Sequence, residues 1–169
     1  PPGMSTGRMM ANVGRSRSIG AEATLSYGYK GLSVSAAYGY TDARFTSYDD
    51  GNNDYSGNRI PYSPEHTMNF RVGYLFPLTN SSIVRNISVN ADCSGIGRIW
   101  WDEANQFVEP FIAQVGADVS VAFHWFDLRF RMDNILNEDY NVFYFKSVGN
   151  NFFQRGKPLR WNIGINISL

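Results

Sequence analysis

The sequence predicts an all-β fold of antiparallel strands that run up and down in chain order, and three observations carry that prediction. Apolar and polar residues alternate one by one over whole stretches, most clearly from Phe111 to Trp125. Side chains on a strand point alternately to opposite faces, so such a stretch has one apolar and one polar face. The parity of the alternation switches at short turns, which keeps the apolar residues of neighbouring strands on a common surface. The connections, finally, alternate short and long along the chain, a pattern that sorts turns to one rim and loops to the other.

Taken in order, residues 1–8 hold mostly Pro, Gly, Ser and Thr without periodicity and read as loop. A first strand is admissible from Met9 and clear from Ser18. Ile19, Ala21, Ala23, Leu25, Tyr27 and Tyr29 face one way, Ser18, Gly20, Glu22, Thr24, Ser26 and Gly28 the other. Lys30-Gly31 makes a two-residue turn in which glycine supplies positive φ. Tyr29 then pairs with Leu32, and the apolar set continues as Val34, Ala36, Tyr38 and Tyr40. Residues 47–64 are rich in Asp, Asn, Gly and Pro and read as a long loop. The third strand presents Met68, Phe70, Val72, Tyr74 and Phe76 on one face, against Asn69, Arg71 and Gly73. After a turn at Pro77 to Ser82, a fourth strand carries Ile87, Val89, Ala91 and Cys93 opposite Ser88, Asn90, Asp92 and Ser94.

Trp100 to Pro110 form a second long loop. The fifth and sixth strands are the two limbs of a hairpin within Phe111 to Asp133. A two-residue loop at Phe126-Asp127 pairs Trp125 with Leu128, Phe123 with Phe130 and Val121 with Met132. The second limb continues irregularly to Phe145, residues 146–158 read as a long polar loop, and Trp161, Ile163, Ile165, Ile167 and Leu169 mark the last strand. The total is about seven strands, with short turns on one rim and long loops on the other, as in transmembrane β-barrels.

Two further features favour lipid as the neighbour of the apolar face. Aromatics gather at strand ends (Tyr27, Tyr29, Tyr38, Tyr40, Tyr74, Phe76, Trp125 and Trp161) while strand middles use Ala, Val, Leu and Ile. Amphipathic rings sit at headgroup depth, whereas a soluble sandwich has no reason to sort them by height. The charges Glu22, Arg71, Asp92, Asp118, Arg129, Arg131 and Asp133 all fall on the polar side. A cation on the lipid side at mid-depth costs about 2–4 kcal/mol, while a wet lumen accepts it. The polar side therefore reads as the lumen.

Composition narrows the function classes. Net charge is zero, which leaves no footprint for nucleic acid. No apolar run approaches the roughly eighteen residues of a membrane helix, a test that barrel strands evade. Cys93 is the only cysteine, so the chain offers no disulfide framework or cysteine metal site. No signal peptide is visible at Pro1-Pro2-Gly3. His66 and His124 lie at opposite rims without a third ligand, and no nucleophile elbow, spaced triad or phosphate loop is present, so neither a metal site, a cofactor nor an enzyme is expected. Asp49, Asp50 and Asp54 lack the spacing of a calcium loop and read as solvated loop.

An odd strand number places the two chain ends on opposite rims. Single-chain bacterial barrels have even strand numbers, so the chain reads as a partial wall of a larger barrel. An eighth strand hidden in residues 1–14 would instead give a complete small barrel of the adhesin or porin kind. A soluble ligand-binding β-barrel or sandwich is the third reading. An excised wall has two unpaired edge strands, so oligomers through open edges are expected of it.

Four stretches resemble the C-terminal part of the β-barrel of TonB-dependent outer-membrane receptors: Asn12 to Glu22 (NVGRSRSIGAE), Gly31 to Phe45 (GLSVSAAYGYTDARF), Gly57 to Thr67 (GNRIPYSPEHT) and Asp133 to Tyr140 (DNILNEDY). The last is similar to the family's Asn-Leu-Phe-Asn-x-x-Tyr signature, followed by a basic turn, Arg155 to Arg160, and a final strand. The family usually ends on an aromatic residue; this chain ends on Leu169. The resemblance implies an outer-membrane protein of a Gram-negative bacterium, set in the lipid bilayer and taking up a scarce small-molecule nutrient such as a siderophore or other metal chelate, a vitamin or a glycan. It also implies a plug domain and the coupling protein TonB, reached only through an N-terminal part outside these residues; residues 1–169 alone would not transport.

Ligand contacts are expected from aromatics on the outer loops, Tyr48, Tyr55, Trp100, Trp101 and Phe107, because exposed aromatics carry binding more often than scaffold. Trp100 and Trp101 read equally well as membrane-interface anchors. Arg129 and Arg131 are placed to attract anions, or to pair with the other lumen charges. Asn134 and Asn137 read as turn or bulge formers rather than ligands.

Overall fold

The computed structural model describes residues 14–167, and among them every regular element is a strand. Seven strands make one antiparallel sheet: β1 (Gly14–Tyr29), β2 (Leu32–Tyr48), β3 (His66–Pro77), β4 (Val84–Gly97), β7 (Ile112–Phe123), β8 (Phe126–Asp133) and β11 (Arg160–Ile167). Their order in the sheet is their order in the chain, so the topology is up-and-down, and the sheet is open with β1 and β11 at its edges. Two ribbons stand apart from it. β5 (Ile99–Trp100) pairs with β6 (Val108–Glu109), and β9 (Asn141–Ser147) pairs with β10 (Asn150–Arg155). Any strand within residues 1–13, and the end at Leu169, lie outside the described residues.

The register shows how alternation becomes two faces. One line of partners crosses all seven strands as Tyr29, Leu32, Tyr74, Val89, Val119, Phe130 and Ile163. One residue further along, the line reads Gly28, Ser33, Gly73, Asn90, Asp118, Arg131 and Asn162. The first face carries Leu25, Tyr27, Phe70, Phe76, Trp161, Ile165 and Ile167, all exposed. No second layer covers them among the described residues, and the buried apolar residues are only Ala43, Trp101, Ile112 and Tyr144. A soluble domain buries such a surface, at about 25 cal/mol per Å². An uncovered stripe of this extent crossing seven strands fits the outer wall of a membrane barrel and not a sandwich.

The opposite face is polar and ion-paired. Arg131 reaches Asp133 at 2.7 Å, Asp92 at 2.9 Å and Asp118 at 3.2 Å. Asp118, almost fully buried, also accepts from Arg129 at 2.7 Å and from Asn90 at 2.9 Å. Arg160 holds the second oxygen of Asp133 at 3.2 Å, and Arg71 approaches Asp92 at 3.8 Å. The cluster ties β4, β7, β8 and β11 together across the sheet. Gly116 makes room for it: a Cβ there would stand 2.9 Å from both Asp92 Oδ2 and a guanidinium nitrogen of Arg131. The predicted lumen charges thus share one face, with Glu22 on the same face opposite Gly39.

The turns fall where the parity argument places them, with one correction. Lys30 and Gly31 both have positive φ, 43° and 87°, and join Tyr29 to Leu32 as expected. The β7–β8 loop, however, is His124-Trp125 and not Phe126-Asp127. Val121 faces Leu128 and Val119 faces Phe130, so each β7 residue meets a partner four positions earlier than predicted. Both registers keep the apolar faces aligned. The observed one seats Asp118 opposite Arg131 and stacks Phe123 on Phe126 at 4.4 Å.

The long connections also differ from plain loops. Residues 146–158, expected to be a polar loop, contain β10 and the turn of the β9–β10 hairpin, and the irregular continuation to Phe145 is largely its first limb. The 100–110 loop is anchored by the β5–β6 ribbon, and β2 runs on to Tyr48. The DNILNEDY stretch is the hinge between sheet and hairpin. Asn134 and Asn137 both have φ of 50°. Buried Asn134 donates to the carbonyls of Glu138 and Lys157 and accepts the Glu138 N–H, while Asn137 accepts the Leu159 N–H. These amides are turn formers, as expected.

Candidate functional site

The long connections converge at one rim and stitch themselves together there. Asn58 donates to the Glu103 carbonyl, Arg59 N–H donates to Asn105 Oδ1, and Asn105 Nδ2 returns a bond to the Arg59 carbonyl at 3.0 Å. Tyr62 N–H donates to the Trp100 carbonyl, and its hydroxyl donates to the Tyr144 carbonyl at 2.6 Å. Glu109, buried, accepts both the backbone N–H and the side-chain amide of Asn141, which docks the β9–β10 hairpin on the β5–β6 ribbon. Three connections distant in sequence thus form one ordered cluster.

Between them lies a cleft of about 480 Å³ lined by aromatic Tyr55, Tyr62, Trp101, Phe107, Tyr144 and Phe145 and by charged Asp102, Glu103 and Lys146. Phe107 stacks on Tyr144 at 5.1 Å, and Tyr62 meets Trp101 edge-on at 5.5 Å. Asp102 shapes the wall, accepting the N–H groups of Gln106 and Phe107 at 2.9 Å. A pocket that is mostly aromatic with a few placed polar groups is the usual form of a small-molecule site.

The electrostatics of the wall lean acidic. Desolvation, and then the Glu103 carboxylate, raise the pKa of the Tyr62 hydroxyl. Desolvation followed by Asp102 does the same for Tyr144, and desolvation followed by Asp50 for Tyr55. All three remain neutral hydroxyls through ordinary pH. The loop acids have local partners: Asp49 accepts from Gly51, Asp50 from Asn52 and Asn53, and Asp54 from Ser56, each a turn-forming bond.

Of the five expected contact residues, three line the cleft: Tyr55, Trp101 and Phe107. Tyr48 stands behind Tyr55, their rings 5.3 Å apart, and Trp100 lies in β5 outside the lining. Trp101 was expected to be exposed and is 4% exposed, so it is the floor of the cleft. Its Nε1 has no hydrogen-bond partner among the described residues. Sequence reasoning missed Tyr62, Tyr144, Phe145 and Lys146. The available signal was the aromatic density of Phe143, Tyr144, Phe145, Phe152 and Phe153 flanking Val148-Gly149, a hairpin pattern read as loop. His66 accepts or donates a bond with Tyr38 at 2.8 Å near the same rim, and His124 is in the opposite turn.

The fold has solved counterparts. The ferric yersiniabactin uptake receptor FyuA from Yersinia pestis superposes with a TM-score of 0.80 at 18% identity, over 92% of this chain and 24% of FyuA. The siderophore receptor PiuA from Acinetobacter baumannii gives 0.71 at 18% identity, and BauA, the ferric preacinetobactin receptor of the same species, gives 0.68 at 15%. Each is matched over 92% of this chain and 22% of its own length. The chain therefore spans about a quarter of the length of these receptors, and at such identities the likeness carries the fold alone. Residues 2–135 match the family profile described as TonB dependent receptor-like, beta-barrel. With most of its length covered by that match, the chain belongs to the β-barrel family of TonB-dependent receptors.

Proposed function

We propose that residues 1–169 are the C-terminal wall segment of an outer-membrane receptor that takes up a scarce nutrient across the outer membrane of a Gram-negative bacterium. The apolar face meets the lipid bilayer, the ion-paired face lines the lumen, and the long-loop rim faces outward. The remaining strands and a plug lie elsewhere in the whole protein, which is consistent with a chain a quarter the length of its structural counterparts and with open edges at β1 and β11. Energy comes from TonB through the plug, not from chemistry in this wall.

The observation that carries the reading is the aromatic cleft at the long-loop rim, assembled from Tyr55, Tyr62, Phe107 and Tyr144 on three connections. Its size and lining suit a nutrient carrying flat rings, and the receptors FyuA, PiuA and BauA take ferric or siderophore cargo, which makes a metal chelate the first class to test. The test is uptake of radiolabelled ferric chelates by cells dependent on the intact receptor. Phe107→Ala and Tyr55→Ala should lower uptake about tenfold or more while Arg71→Met leaves it unchanged. Uptake insensitive to both aromatic substitutions, with normal receptor levels in the membrane, contradicts the assignment of the site.

A further inference from the structure

The cleft just assigned has a sign, and we infer that it selects neutral or cationic ring-bearing ligands and disfavours anions. The inference rests on the reading of the cleft as the ligand site. Two carboxylates, Asp102 and Glu103, line it against a single ammonium, Lys146. No guanidinium lines it among the described residues. Two guanidinium groups of the loop cluster are already held by acids: Arg59 lies between Asp42 at 3.0 Å and Glu65 at 2.6 Å, and Arg44 is on Asp42 at 2.9 Å. Asp50, beside Tyr55, adds a further negative charge at the mouth.

The aromatic wall acts in the same direction. Ring faces of Tyr and Phe carry negative quadrupole density and attract cations, most strongly where water is partly excluded. The tyrosine hydroxyls stay neutral, because desolvation and the neighbouring acids oppose their ionisation. Those of Tyr62 and Tyr144 are already donated to the Tyr144 carbonyl and to Asn151 Oδ1, so the wall offers a ligand ring faces rather than free charge. An anion entering is repelled by Asp102 and Glu103, with Asp50 beside Tyr55, and attracted only by Lys146; a cation meets the same groups with each sign reversed, and a choice of ring faces besides. A carboxylate-rich chelate is therefore a poor fit, and a ligand with a protonated amine or a charge-neutral chelate core a good one.

Three probes of matched size separate the contributions: 1-naphthylmethylammonium, 1-naphthalenemethanol and 1-naphthoate, titrated calorimetrically into the intact receptor in detergent. The ammonium should bind about tenfold more tightly than the carboxylate, with the alcohol between them, and the ratio should fall at high salt. Asp50→Asn with Glu103→Gln should shrink the ratio severalfold without changing affinity for the alcohol, and Lys146→Met should widen it. If all three bind equally, or the carboxylate binds best, while Phe107→Ala weakens them all, the charge preference is wrong and the cleft remains. If none binds, or binding ignores Phe107→Ala, the cleft assignment and the charge preference both fall.

Discussion

Replacing Arg131 by methionine tests whether the ion cluster on the polar face holds neighbouring strands together. The guanidinium contacts Asp133 at 2.7 Å, Asp92 at 2.9 Å and Asp118 at 3.2 Å, so one substitution removes ties to three carboxylates. Charge-assisted bonds contribute about 1.5–3 kcal/mol each where water is excluded. Arg131 is 21% exposed and Asp92 and Asp133 are comparable, so those two bonds are worth less than the range suggests. Asp118, 2% exposed, keeps Arg129 and Asn90, which limits the cost of leaving it behind. The expected loss is about 3 kcal/mol, near the low end for breaking a buried pair. Arg71→Met is the control: its guanidinium is 57% exposed and its single contact to Asp92 is 3.8 Å, so the change should stay below about 0.5 kcal/mol. Denaturant titration of the intact protein in lipid vesicles, followed by tryptophan fluorescence, measures both. Equal shifts for the two variants would refute the idea that Arg131 is the hub.

Other outcomes follow from the loop cluster. Asn134→Ala should destabilise by about 2–4 kcal/mol, since it removes three hydrogen bonds at a buried site and places a Cβ-bearing residue other than Asn or Gly at positive φ; Asn134→Gly, which suits the backbone, should lose less. Trp101→Phe should change thermal stability little because the indole N–H has no partner to lose among the described residues, whereas Trp101→Ala should cost about 3–5 kcal/mol by opening the floor of the cleft. Tyrosinate absorbance of the native protein should lag behind that of the unfolded chain above pH 10.0, because Tyr55, Tyr62 and Tyr144 have raised values in the fold. A raised folded value means the hydroxyls' contribution is whole below pH 10.0 and is lost as pH climbs through the folded values. Coincident native and unfolded curves would show that neither desolvation nor the neighbouring acids act on these hydroxyls.

What was legible in the sequence is what period-two alternation encodes. The faces of all seven sheet strands, the Lys30-Gly31 turn and the common side of Asp92, Asp118 and Arg131 follow from parity alone. The β7–β8 register did not, because a shift by an even number preserves parity. Only the pairing of Asp118 with Arg131 and the contact of Phe123 with Phe126 distinguish the two, and both depend on three-dimensional neighbours. The β9–β10 hairpin was hidden for a different reason. Its turn places β-branched Val148 at φ 47°, where Asn or Gly would have announced it, and its strands lie off the sheet with apolar residues on both sides. For the cleft, residue type pointed to Tyr55, Trp101 and Phe107. Of the partners that complete it, Tyr144 and Lys146 are brought in by the hairpin that alternation could not place, and Tyr62, whose hydroxyl bonds to that hairpin, by the β2–β3 connection.

The identity of the medium on either side of the sheet underlies each of these expectations. Nitroxide labels at Val119, Phe130 and Ile163 on one face, and at Ser88, Ser120 and Asn162 on the other, report it directly in a cysteine-free background with Cys93 replaced. In phospholipid bilayers the first set should be relaxed by dissolved oxygen and shielded from a water-soluble nickel chelate, and the second set the reverse. Equal accessibility of the two sets to both reagents would contradict the membrane wall and return the apolar face to the interior of a soluble assembly.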